Sequence, residues 1–306
     1  MHLVATIFPV FAIVVLGWIA GISGYVPRTL GASLTRFAYY IAMPSLVFLT
    51  IGDETMHSLL DWRFLAAFGG GSLICFAIVM VMARWGRSAA FGTSAMIGAA
   101  ASMTNTAFVA LPILKTLYGK PGVLAAAIAT VFIGAFMFPA LVILLEIARF
   151  DASRKIRTAA LTRQIATNPV IVATVVGLAW SFTGLGMPKP LVSFLTILGD
   201  ALTPCALFAI GLELTLGELR ERLSFYALLT IVKLLILPLI VYALCLACGL
   251  DHTATVAAVV CAAVPTAKSA YVLAVEYDVE KTMVGAVISM STLFSIITLL
   301  GWLYLI

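Results

Sequence analysis

The chain has 306 residues, of which 63% are apolar and 10% charged, and a formal net charge of +5; its mean hydropathy is +1.16. Soluble domains carry about 25% charged residues, so this composition excludes a soluble enzyme or a nucleic-acid-binding module and points to a bilayer. The five cysteines all lie in apolar stretches. Cys245 and Cys248 form a C-x-x-C spacing without an accompanying His or second Cys pair, which reads as small apolar packing, and no cofactor or metal is expected.

A helix needs roughly 20 mostly apolar residues to cross the hydrocarbon core. Ten stretches qualify, at 3–22, 32–51, 62–84, 92–118, 121–148, 165–182, 191–215, 223–248, 252–276 and 282–305. Only His2 stands before the first, in place of a basic leader region, so an uncleaved span is expected there. The second carries Pro44 and the third Gly69-Gly70-Gly71, small residues that let helices approach closely. The fourth is interrupted by Ser102-Met103-Thr104-Asn105-Thr106 and then Pro112. A basic stretch, 149–164, follows the fifth span and divides the chain into halves 1–148 and 165–306 within one membrane domain. Asn168-Pro169 lies near the start of the sixth span, Asp200 and Pro204 lie in the seventh, and Lys233 and Pro238 in the eighth. The ninth is interrupted by Pro265-Thr266-Ala267-Lys268-Ser269.

The two halves echo one another. Phe8-Pro9-Val10-Phe11 is followed 160 positions later by Asn168-Pro169-Val170-Ile171, and the same offset carries Gly17 to Gly177, Pro44 to Pro204 and Phe48 to Phe208. At an offset of 163, Thr106-Ala107-Phe108-Val109 answers Ser269-Ala270-Tyr271-Val272, and Asn105 answers Lys268. Interrupted apolar segments at corresponding places in two repeats point to a transporter's binding site.

Charge gives the orientation. Twelve basic residues lie on or beside the odd-numbered connections (Arg28, Arg36, Arg84, Arg87, Arg149, Arg154, Lys155, Arg157, Arg163, Arg220, Arg222, Lys281), against four on the even ones (Arg63, Lys115, Lys120, Lys189). By the positive-inside rule the odd connections are cytoplasmic and both termini lie outside. Five spans per half then require the second half to run inverted. The expected fold is all-α, with ten transmembrane helices as two inverted five-helix repeats whose broken fourth and ninth helices cross.

Two basic residues remain inside spans, Lys233 and Lys268, and Asp200 is the acid nearest a span centre. Charges there are costly and default to function. Half-helices restarting after each break aim free N–H groups at the gap, which favours an anion, and Lys268 adds a full positive charge. Asp200, at an interface between moving and fixed parts, is a candidate proton carrier; permanent pairing, with Lys268 for example, is the structural alternative. Lys233 has no polar neighbours in its span and is expected to pack or to snorkel. The prolines within spans are expected to make kinks. Asp200 and Asp278 could nominate an intramembrane aspartyl protease, but Asp278 sits at a span end, so two facing mid-membrane acids are not available.

The stretch from Asn105-Thr106-Ala107-Phe108-Val109 through Pro112-Ile113-Leu114 to Tyr118-Gly119 resembles the fourth span of the auxin efflux carrier family. Ala42-Met43-Pro44-Ser45, Asn168-Pro169, Asp200 and Pro265-Thr266 through Glu276-Tyr277 are similar to it in order along the whole chain. The resemblance implies a scaffold of spans 1, 2, 6 and 7 and a transport domain of spans 3–5 and 8–10. It also implies organic-anion substrates: auxin in plants, and malonate, malate and similar carboxylates in bacteria. The short basic connection resembles the compact microbial branch. Lys268 departs from the plant carriers, which have an uncharged residue there, and suits a doubly charged substrate.

The expectation is therefore a secondary carrier of mono- or dicarboxylates in the cell membrane, working by elevator-like alternating access coupled to protons. Asn105, Thr106, Thr266, Ser269 and Asn168 would bind substrate, Lys268 would supply charge, Pro112 and Pro265 would hold the breaks open, and Asp200 would couple protons. The expected partners are the anion, membrane lipid and a second copy in a homodimer, with no nucleic acid. A cation/proton exchanger and a membrane sensor are the alternatives.

Overall fold

The computed structural model describes residues 2–27, 29–52, 62–86, 88–148, 167, 169–213 and 222–306. Asn168 and the whole basic connection 149–164 lie outside the described residues. Among the described residues the chain is helical almost throughout, and the β-type contact is a single antiparallel bridge between Thr104 and Thr266.

Five helices are long and apolar enough to cross a membrane: Thr29–Leu49, Trp62–Gly86, Lys189–Leu212, Leu223–Cys248 and Lys281–Leu305. At 1.5 Å per residue each reaches the thickness of the hydrocarbon core. They fall on the expected second, third, seventh, eighth and tenth spans. The first and sixth spans correspond to the helices His2–Ile22 and Pro169–Thr183. The fourth is divided into Phe91–Ser102 and a segment from Thr106 to Tyr118. The ninth is divided into His252–Ala263 and Lys268–Glu276.

Prolines shape the helices by a device that the sequence reading took for simple kinks. Of the five wide π-helical turns among the described residues, four, Ala38–Ala42, Thr106–Ala110, Ile133–Met137 and Val232–Ile236, end two residues before a proline (Pro44, Pro112, Pro139 and Pro238), and the fifth, Leu65–Gly69, runs into Gly70-Gly71 instead. A proline offers no N–H to the carbonyl four residues earlier, and its ring collides with that carbonyl. A turn with one extra residue relieves the collision. At Pro238 the orphaned carbonyl is that of Leu234, and it accepts a hydrogen bond from the Trp302 indole Nε1 at 3.0 Å. Pro204 is handled differently. The helix Lys189–Asp200 stops, Ala201 turns, and Leu202–Glu213 restarts.

The chain forms two compact units. The first gathers Met1–Trp62, Ala107–Ile128 and Ala166–Leu214; the second gathers Arg63–Thr106, Ala129–Ile165 and Thr215–Ile306. Both draw on both halves of the sequence. The first holds the expected spans 1, 2, 6 and 7, and it also takes residues 107–128, which the resemblance assigns with spans 3–5. That grouping corrects the expectation: the chain after the first break belongs with the first unit.

Within the first unit, helix pairs close on glycine. A Cβ on Gly17 would run into the carbonyl oxygen of Phe208, and one on Gly211 into that of Val14. The related pair is Gly177 against Phe48 and Ile51, where an added Cβ would lie 3.4 Å from the Phe48 carbonyl oxygen and 3.1 Å from the Ile51 Cβ. The offset of 160 that carries Gly17 to Gly177 also carries Phe48 to Phe208 and Ile51 to Gly211. The same contact is thus made twice with the halves exchanged. In the second unit, Phe91–Ser102 and His252–Ala263 are buried along nearly their whole length. Their runs of Gly, Ala and Val permit that, because small side chains bring backbones together where lipid supplies no hydrophobic drive.

Gly211→Val is expected to cost about 1–3 kcal/mol through overpacking, read as a lower melting temperature of detergent-purified protein. Gly301→Ala, with nothing within 4 Å of the added Cβ, is expected to melt with the parent.

Candidate functional site

The two interruptions meet in the second unit. Ser102 ends the first half-helix, its hydroxyl turned back onto the Gly98 carbonyl at 2.8 Å, and Met103 is extended at φ −74°, ψ 121°. Ser and Thr side chains compete with the helical ladder in this way. In the second interruption Val264 is extended at φ −70°, ψ 160°, as a residue before proline must be. The unwound strands run antiparallel: the Asn105 N–H donates to the Pro265 carbonyl at 2.9 Å, and the Ala267 N–H to the Met103 carbonyl at 3.0 Å. Both breaks expected from sequence are present, and each supplies the other's backbone partners.

The remaining polar groups find partners locally. Met103 N–H donates to the Ala99 carbonyl, the Thr266 hydroxyl to the Ala100 carbonyl at 2.7 Å, and the Cys75 thiol to the Ala101 carbonyl at 3.8 Å. Thr266 N–H donates to the Ser291 hydroxyl at 3.1 Å. Lys233 is fully buried, and its ammonium donates at 2.6 Å to each of the carbonyls of Ala262 and Val264. Lys233 therefore neither snorkels nor merely packs, and the expectation made of it is corrected: it caps the broken end of His252–Ala263. A lysine in an apolar span was visible in the sequence, but its target lies 29 and 31 residues away. Thr104 Oγ1 is the one buried side-chain oxygen or nitrogen without a hydrogen-bond partner among the described residues.

The predicted residues distribute as follows. Asn105, Thr106 and Thr266 are buried at the breaks. The Thr106 hydroxyl accepts from that of Thr130 at 2.8 Å, a partner that sequence reasoning missed. Lys268 and Ser269 are half-buried and open the helix Lys268–Glu276. Pro265 is buried between the two half-helices of the ninth span, and Pro112 is buried in the second turn after the first break. The residues of the breaks, 102–106 and 264–269, contain hydroxyls, an amide and an ammonium but no carboxylate. With the N-terminal ends of two half-helices, that chemistry favours an anion.

Asp200 and Pro112 belong to the first unit. Asp200 ends its helix with a side chain 63% exposed and forms an ion pair with Lys115 at 2.6 Å. Lys115, which the sequence reading used as a marker of topology, is thus the observed partner of this aspartate. Pro204 leaves the Asp200 carbonyl without its helical donor. Because the pair is exposed, a double-mutant cycle of Lys115→Ala and Asp200→Ala is expected to give a coupling of only about 0–1 kcal/mol in unfolding measurements.

Comparison with known proteins places the chain among membrane transport proteins. The pattern defining the family described as membrane transport protein matches residues 2–303. A protein of Rhizobium meliloti (strain 1021) named "Putative malonate transporter" is 27% identical over 302 residues, covering 98% of this chain and 94% of that protein. An "Uncharacterized transporter" of Methanothermobacter thermautotrophicus is 27% identical over 310 residues, covering 97% of this chain and 96% of its own length. The "Lysosomal cholesterol signaling protein" of Mus musculus is 27% identical over 249 residues, which is 75% of this chain and 28% of that protein.

Proposed function

The chain belongs to the auxin efflux carrier family of membrane transport proteins, and from that premise we propose that it is a secondary carrier of small organic anions, mono- or dicarboxylates of the malonate and malate type. The observation that carries this reading is the pair of bridged, acid-free interruptions. Asn105 stands just before one restarting helix and Lys268 opens the other. The carboxylate binds at Asn105 and the backbone near Thr106 and Ser269, and Lys268 meets its second charge. Thr266 holds the break, its own hydroxyl donated to Ala100. Asn168 completes the substrate-binding set, and Pro112 and Pro265 keep the breaks from closing into continuous helix. The name of the Rhizobium relative supports the choice of dicarboxylate.

The proposed architecture is ten transmembrane helices as two inverted repeats, 1–148 and 165–306 joined by the basic connection, with the fourth and ninth helices crossing at their breaks. The exchanged glycine contacts of Gly17 and Gly177 support it, as does the split of each half between two units. The unit containing the breaks is the moving part of an elevator-like cycle. Asp200 couples the cycle to protons, the Lys115 partner being released when the carboxylate is protonated. The protein sits in the cell membrane with both termini outside and works as a homodimer.

A ligand-sensing role has one observation in its favour, the similarity to a relative whose name contains signaling. A sensor would bind the anion without moving it. A cation/proton exchanger would instead show pH-driven cation flux with no organic substrate.

The test is uptake of labelled malonate, malate, lactate and indole acetate into proteoliposomes, with and without a proton gradient. Malonate or malate uptake is expected, and Lys268→Ala should abolish it while leaving expression and monodispersity intact. Asp200→Asn should transport without response to the gradient. Wild-type dicarboxylate uptake by Lys268→Ala would remove the role given to that residue, and binding without flux would favour the sensor.

A further inference from the structure

The C-terminal end of a helix carries a partial negative charge, and within a bilayer its carbonyls must find partners in the protein. In His252–Ala263 the problem is acute, because the chain leaves the helix at Val264 and Pro265 brings no N–H. Carbonyls at such broken ends can coordinate a dissociable Na+ or a proton. Here the ammonium of Lys233 stands 2.6 Å from the oxygens of both Ala262 and Val264, on a fully buried side chain. Its stem enters from the π-turn Val232–Ile236.

The corresponding place in the first half of the sequence is filled differently. An offset of 163 relates Ala101 to Val264, and one of 158 relates Cys75 to Lys233. The Cys75 thiol donates to Ala101 just as the Lys233 ammonium donates to Val264. The first end manages with a neutral, weak donor because the Thr266 hydroxyl already serves Ala100. Of two equivalent positions, then, one holds a thiol and the other a fixed cation.

We propose that Lys233 is a built-in monovalent cation, tethered where a dissociable one would otherwise bind, and that it fixes the end of His252–Ala263 and with it the Thr266–Ser269 turn. The protein accordingly needs no alkali cation at this place. Removing the side chain exposes a cage of carbonyls that takes a small monovalent cation, either an alkali ion or a primary alkylammonium.

The experiment reads the melting temperature of the detergent-purified protein, which does not depend on knowing the substrate. Lys233→Ala should melt several degrees below the parent. n-Propylammonium, sodium or potassium chloride should restore at least half of the loss, choline chloride at equal ionic strength should not, and the parent should respond alike to all of them. Equal responses of Lys233→Ala to choline and to the small cations overturn the proposal. Should Lys233→Ala not accumulate as folded protein, the comparison of Lys233→Met with Lys233→Arg decides. Methionine fills the space without charge and should melt below arginine, which keeps the charge. A methionine variant as stable as the parent overturns the proposal.

Discussion

Every backbone N–H and C=O within a bilayer must be satisfied by the protein itself, and this chain violates helical continuity twice in the middle of its most buried segments. The two violations are compatible with a folded protein because they are made together. Met103 to Asn105 and Pro265 to Ala267 exchange main-chain hydrogen bonds, and hydroxyl, thiol and ammonium groups cap the carbonyls that are left. Neither break could exist alone at an acceptable cost, since an unmade buried hydrogen bond costs about 1–3 kcal/mol. The rest of the second unit is arranged to keep this junction closed, with small-residue helices pressed around it.

The same constraint explains the chemical character of the junction. Groups that cap a helix C-terminus are donors, and the N-termini that restart beyond each break are donors as well. The capping groups, Lys233 among them, are engaged by the carbonyls they serve, whereas helix N-termini and an ammonium such as that of Lys268 suit an anion. The preference for an anion proposed above would thus come in part from how the backbone is repaired. Thr104, with its hydroxyl buried and unpartnered among the described residues, has hydrogen-bonding capacity still to spend there.

Much of this was legible in the sequence because its signals are local. Helix length, proline, polar residues within apolar runs and the offset between halves all survive without three dimensions. Both interruptions lie where Asn105 and Pro265 indicated, and five of the expected spans appear as helices of membrane length. Long-range partners were not legible. Lys233 looked isolated because its acceptors are main-chain carbonyls, which leave no mark in a sequence. Lys115 looked like a loop charge because Asp200 is 85 positions away. The grouping of residues 107–128 with the first unit was also hidden, because a family-level division by whole spans cannot anticipate a boundary inside a helix. The prolines were correctly located, but their local remedy depends on whether a neighbouring turn can widen.

That remedy has a consequence for how such a chain can change. Each widened turn holds one residue more than an ordinary helix would, a unit of slack two positions ahead of Pro44, Pro112, Pro139 or Pro238. Successive residues of a helix are about 100° apart around its axis. Deleting a residue elsewhere in such a helix would therefore rotate every later side chain by that angle, whereas deleting the spare one lets the widened turn close to an ordinary turn and keeps the later faces where they are. A single deletion at these four places still leaves the proline against the carbonyl four residues earlier, so replacing the proline and removing its spare residue together should be tolerated better than removing the residue alone.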